Sequence, residues 1–258
     1  MIPVAQDLAL ALDRVAFARA VGIEKPDAWQ ESLLHSEAPR VILNCCRQSG
    51  KSTTTALKSL HKALYEPGSL TLVLAPAERQ SKEFFGKVSE FYRRLGHRAK
   101  ADSDRKLGMV LENGSRIEAL PGSEKTIRGF SGVDLLIIDE AARVDDGLYH
   151  AVRPMLAVSG GSLMMLSSPY GKRGIFYEAW VGNEEWERYE VPATEVPRIT
   201  KEFLDEERRG RPARVFRQEY MCSFEETEDS VFSYEDVRGA ISEEVTPLFG
   251  SSFAGGAA

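Results

Sequence analysis

The sequence predicts an α/β protein with a mostly parallel central sheet flanked by helices, and three observations predict it. Short runs that are apolar throughout alternate with amphipathic segments of helical length, which is the pattern of strands buried on both faces. One such run leads through Ser49-Gly50-Lys51-Ser52 into a helical segment, and another ends in the acidic pair Asp139-Glu140. An Asn113-Gly114 pair between two alternating runs adds an antiparallel hairpin. In chain order, residues 6–21 read as an amphipathic helix, and Lys25-Pro26-Asp27 as a turn before a second helix that begins near Trp29 and Gln30. Val41–Cys45 reads as a buried strand, Lys51–Tyr65 as a helix, and Leu70–Ala75 as a strand stopped by Pro76. Residues 78–95 carry Phe84, Val88, Phe91 and Leu95 at helical spacing. After the hairpin, Leu135–Ile138 reads as a strand, residues 146–156 as a helix, and Ser162–Ser167 as a strand closed by Ser168-Pro169. Gly174–Val181 reads as a helix, residues 186–191 as the last strand, and residues 200–222 as helical with a break at Gly210–Pro212.

Composition narrows the class. With 258 residues, 43% of them hydrophobic and 28% charged, the chain falls outside collagen-like, disulfide-framework and disordered compositions. The three cysteines, two of them adjacent, provide no disulfide framework and fit a reducing compartment. No apolar run approaches the roughly 18–20 residues of a membrane span, so no membrane partner is expected. The net charge of −6 argues against a nucleic-acid partner until it is located. Residues 224–258 hold eight acids against one base, a net of −7, and residues 1–223 sum to +1. The acidity belongs to the last segment.

The segment Cys45-Cys46-Arg47-Gln48-Ser49-Gly50-Lys51-Ser52 fits the phosphate-loop pattern G-x-x-x-x-G-K-[ST] at every fixed position except the first, where Cys45 replaces glycine. Strand, loop and helix follow in the required order. Backbone N–H groups from Arg47 to Ser52 would form an anion nest at a helix N-terminus, whose dipole favours phosphate. Lys51 would reach the β and γ phosphates of ATP, and the Ser52 hydroxyl would ligate Mg²⁺. Asp139 and Glu140 supply the complementary element, because carboxylates at the end of a buried strand are costly without a purpose. Asp139 would hold Mg²⁺ through water, and Glu140 would orient or deprotonate the attacking water, which favours an NTPase over a small-molecule kinase. The cation for the transition state has two candidates: Arg128, in a glycine-containing loop from which it could reach a neighbouring subunit's nucleotide, and Arg47, acting within its own subunit.

With RQSGKS at Arg47–Ser52, LLIIDEAA at Leu135–Ala142 and LSSP at Leu166–Pro169, the sequence resembles the large terminase subunit of tailed double-stranded DNA bacteriophages. The resemblance covers residues 25–235 and implies a P-loop NTPase fold of the ASCE type. Asp27-Ala28-Trp29-Gln30 resembles the family's adenine-contacting motif, placing Trp29 and Gln30 with Gln48, Ser49, Gly50 and Thr53 as nucleotide-binding candidates. Ile127-Arg128-Gly129 resembles the element carrying a trans-acting arginine finger, and Ser167-Ser168 the motif coupling hydrolysis to movement. The resemblance further implies a motor that pumps double-stranded DNA into a procapsid, as a homo-oligomeric ring on the capsid portal with a small terminase subunit, in the bacterial host cytoplasm. On this reading residues 1–28 are an N-terminal helical segment, 29–224 the ATPase domain, and 225–258 an acidic linker toward a nuclease domain that the sequence lacks.

Basic residues cluster in two places suited to DNA. Residues 78–106 hold nine bases and five acids, and residues 207–219 five arginines and two glutamates. Sequence-independent translocation needs phosphate contacts rather than base edges, and Arg98, Lys100, Arg105 and Lys106 are the DNA-binding candidates. Two competing functions share the same motifs. A DEAD-like helicase would use Asp139-Glu140-Ala141-Ala142 as its acidic box, but it needs a second motor lobe. A nucleotide-dependent assembly switch would show little turnover.

Overall fold

The computed structural model of the chain describes residues 4–96, 107–122, 127, 129–226 and 239. Residues 1–225 form one compact unit and residues 226–258 another, and the latter has only Glu226 and Gly239 described. The strands are β1 (Arg40–Cys45), β2 (Leu70–Ala75), β3 (Gly108–Val110), β4 (Arg116–Pro121), β5 (Leu135–Asp139), β6 (Ser162–Ser167) and β7 (Glu187–Val191). They form one sheet in the order β3-β4-β2-β5-β6-β1-β7, parallel at every described pairing except β3 with β4. Strand β6 therefore lies between β1 and β5, which is the additional strand of the ASCE arrangement.

Period-two alternation divides the sheet between two apolar layers. Val41, Leu43, Val73, Leu135, Ile137, Met164 and Leu166 point into one, which also holds Leu10, Phe17, Leu57, Phe84 and Leu204. These come from α1 (Val4–Leu12), α2 (Arg14–Ala20), α4 (Lys51–Tyr65), α5 (Glu78–Arg94) and α8 (Lys201–Gly210), and α3 (Ala28–His35) and α9 (Ala213–Tyr220) join them through Leu33 and Phe216. Ile42, Leu72, Leu74, Leu136, Ile138 and Met165 point to the other face, under α6 (Asp146–Val152) and α7 (Gly174–Val181). The helices of residues 1–28 thus share the core of the sheet rather than forming a unit of their own.

Three predicted elements differ from the observed ones. The helix expected over residues 6–21 is two helices, because Asp13 sits between them in extended conformation and its carboxylate accepts from the N–H groups of Val15 and Ala16. An N-cap of this kind outweighs continuation of the apolar stripe through it. The helix expected over 146–156 tightens to a 3₁₀ turn at Arg153–Leu156, where Pro154 enters. The Asn113-Gly114 turn is wider than a two-residue hairpin: Val110 pairs with Arg116, and Asn113 Nδ2 donates to the Ala63 and Leu64 carbonyls at the end of α4. Of the expected hairpin only β3 is antiparallel, since β4 also pairs in parallel with β2.

Candidate nucleotide site

Parallel strands deliver their C-terminal ends to one edge of the sheet, where open α/β folds bind ligands. β1 ends in the loop 46–50, and Gly50 opens α4 at φ 97°, a backbone conformation that suits glycine. Gln48 also has positive φ, at 61°. Behind the loop, α4 takes buried hydroxyls without leaving them unpaired. Thr54 Oγ1 donates to the Gly50 carbonyl, Thr55 to Lys51 and Ser59 to Thr55.

Lys51 is buried and its Nζ lies 3.5 Å from both Glu140 Oε1 and Ser168 Oγ, at the ends of β5 and β6. The Ser52 hydroxyl contacts both carboxylate oxygens of Asp139, at 3.1 and 3.3 Å. Burial, with Glu140 alongside, pushes the Asp139 carboxyl above its ordinary pKa, and Lys51 and Ser52 oppose that shift. Glu140 has left-handed backbone, φ 52°, a strained conformation of the kind found at functional sites. The Ser49 hydroxyl is buried and unpartnered. Ser49, Lys51, Ser52, Asp139 and Glu140 line a polar cavity of about 660 Å³ that also takes in Arg79, Lys87 and Arg143. A smaller cavity of about 300 Å³ adjoins it, walled by residues 22–26, Gln30, Thr53, Thr54, Leu57 and Arg198.

The sequence candidates divide accordingly. Arg47, Gln48, Ser49, Gly50, Lys51, Ser52, Thr53, Asp139 and Glu140 all line the larger cavity. Gln30 reaches the smaller one, with Oε1 accepting from the Asp27 N–H and Nε2 donating to Thr54 Oγ1. Trp29 does not accompany it; its ring packs against the apolar core. The Arg47 guanidinium is held by the Glu219 carboxylate, and its N–H is taken by the Glu219 carbonyl, so the expected N–H nest begins at Gln48. Ser167 is fully buried and its hydroxyl donates to the Ser168 carbonyl, so only Ser168 of that pair touches Lys51. Arg128, Arg98, Lys100, Arg105 and Lys106 lie outside the described residues. Sequence reasoning missed Arg198, whose guanidinium bonds Asp27 and the Ser49 carbonyl, and Arg143, which stacks 4.1 Å over the Tyr170 ring. No short motif marks either residue.

Fold and site together define a P-loop nucleoside-triphosphatase fold with an additional strand and an acidic pair opposite the loop. A family model described as "Terminase large subunit, T4likevirus-type, N-terminal" matches residues 42–238, and the chain belongs to this large-terminase family. The large terminase subunit of Thermus virus P23-45 is 28% identical over 250 residues, covering 83% of this chain and 51% of the relative. The chain therefore spans about half the length of that relative. Among solved structures, the large terminase ATPase domain of Thermus phage P74-26 superposes with a TM-score of 0.69 at 26% identity, covering 81% of this chain and 97% of that one. The large terminase of bacteriophage HK97, at 15% identity and a TM-score of 0.62, covers 78% of this chain and 51% of that one and shares the fold.

Proposed function

We propose that this chain hydrolyses ATP to drive double-stranded DNA into a viral procapsid, as the motor domain of a large terminase. The observation that carries the reading is the meeting of Lys51, Ser52, Asp139, Glu140 and Ser168 at the ends of β1, β5 and β6. The relative solved as an ATPase domain matches the chain over 97% of its own length. A large terminase of a thermophilic bacteriophage, 11% identical and similar in fold, has been solved with ADP and with ATP-γ-S.

In the mechanism this geometry supports, the N–H groups of Gln48 to Ser52 and the α4 dipole hold the phosphates. Lys51 lies between Glu140 and Ser168, so it reaches the terminal phosphate while holding the carboxylate that orients water toward it. An all-oxygen pair, the Ser52 hydroxyl and the buried Asp139 carboxylate, fits Mg²⁺, which would complete its shell with phosphate and water oxygens. When bound, the ion neutralises charge developing on the phosphates. Ser168 senses loss of the terminal phosphate through Lys51. Arg47 is tied to Glu219, which favours Arg128, acting on a neighbouring subunit in a ring on the capsid portal, as the transition-state cation.

Arg98, Lys100, Arg105 and Lys106 contact DNA phosphates, the small terminase subunit is a partner, and the machine works in the host cytoplasm. Residues 1–28 serve as an N-terminal helical segment, residues 29–224 as the ATPase domain and residues 225–258 as an acidic linker. The test is Glu140→Gln in an ATPase assay with Mg²⁺. Hydrolysis falls about 10²–10⁴-fold while ATP binding is retained, and turnover equal to the parent's refutes the assignment.

A further inference from the structure

Arg198 lies between β7 and α8, 149 residues from the loop carbonyl that it bonds. Its Nη1 and Nη2 donate to the two carboxylate oxygens of Asp27, each at 2.9 Å, and Nη2 donates again to the Ser49 carbonyl at 2.9 Å. The Asp27 side chain is 8% exposed, whereas that of Arg198 is 51% exposed. One edge of the guanidinium is thus clamped by a buried carboxylate and the phosphate loop. Of its five N–H donors, Nε–H and one on Nη1 take no part in these bonds.

The open part of Arg198 borders both cavities. A Cβ built on Gly50 would stand 3.7 Å from its Nη2, so the guanidinium sits beside the residue that caps α4, which lines both cavities. Lys51 works on the opposite side of the loop, toward Glu140 and Ser168. A ligand with its terminal phosphates in the larger cavity and its base in the smaller one would pass its sugar and α-phosphate across this seam. A planar cation already fixed by a carboxylate loses little freedom on binding there, and its two remaining N–H groups make charge-assisted hydrogen bonds to phosphate or sugar oxygens.

We propose that Arg198 is a nucleotide-binding residue whose free N–H groups take the α-phosphate and sugar oxygens of a nucleoside di- or triphosphate, with Asp27 holding it in place. The inference rests on the nucleotide reading above. The test measures binding of ADP and of inorganic pyrophosphate, each with Mg²⁺, to the parent chain, Arg198→Ala and Arg198→Lys. Pyrophosphate, held by the loop and Lys51 as the two terminal phosphates of ATP would be, brings neither an α-phosphate nor a sugar to Arg198. Arg198→Ala is expected to weaken ADP about tenfold and pyrophosphate by less than about twofold, and Arg198→Lys to fall between parent and alanine for ADP because it keeps the charge without the fork. Should the alanine variant fail to fold, the lysine variant carries the same comparison between the two ligands. Unchanged ADP binding overturns the proposal. So does an equal loss for both ligands, which would make Arg198 only a brace for the Ser49 carbonyl. A parent chain that binds neither ligand would fail the nucleotide reading itself, an outcome separate from a variant that binds ADP as well as the parent.

Discussion

At the N-terminal edge of the parallel strands, Asp134 accepts from the Leu70 N–H at 2.7 Å, Lys58 donates to the Leu33 and Ser36 carbonyls closing α3, and Arg14 holds the Leu34 carbonyl and Glu37. At the C-terminal edge, Lys51 meets Glu140 and Ser168 only at 3.5 Å, Ser49 Oγ is buried without a partner, and Asp139 is buried beside another carboxylate. Both edges are rich in charge. The first commits its charges to backbone groups that will never leave, so it stabilises the fold and offers a ligand little. The second lets its charged groups lean on one another, so phosphate and a cation can replace those contacts without breaking the fold.

Titration separates the two edges by sign. On the N-terminal side, burial and then Arg14 push the His61 imidazole down from 6.5 to about 4. Below pH 6.5 the unfolded chain takes up a proton that the folded chain refuses, so stability is lost as pH falls toward 4, by about 3 kcal/mol. Denaturant unfolding at pH 7 and pH 4.5 shows this slope in the parent, and His61→Gln flattens it; equal slopes would remove His61 from the account. Asp139 has the opposite dependence. Its carboxyl is raised, so the folded state favours the protonated form and this contribution to stability declines as pH rises above the ordinary carboxylate range. Asp139→Asn is therefore expected to raise the unfolding midpoint at pH 8 by about 2 °C or more, roughly what 1 kcal/mol gives in a domain of this size, while removing hydrolysis. A lowered midpoint would place Asp139 with the structural charges.

The sequence made the C-terminal edge legible where residues a few positions apart share one backbone feature. Gly50-Lys51-Ser52 and Asp139-Glu140 mark a loop and a strand end that spacing alone can locate, and the apolar runs gave β1, β2, β5 and β6 nearly to the residue. What spacing does not encode is contact across the chain. Nothing local shows that β6 separates β1 from β5, that Gln30 is fastened to Thr54, or that Arg47 is drawn off by Glu219. Asp13 and Asn113 illustrate the same limit at short range. Each side chain captures backbone groups, and in doing so breaks a helix or widens a turn that periodicity would continue.

The claim that the C-terminal edge binds nucleotide is tested most directly by calorimetric titration of ATP with Mg²⁺ into the parent and Lys51→Ala chains. The substitution removes the cation shared by Glu140 and Ser168 while leaving the bonds of the opposite edge intact. ATP affinity should fall by about tenfold or more with the variant still folded, since a charge-assisted bond to phosphate is lost. Undiminished ATP binding by a folded Lys51→Ala chain would contradict it.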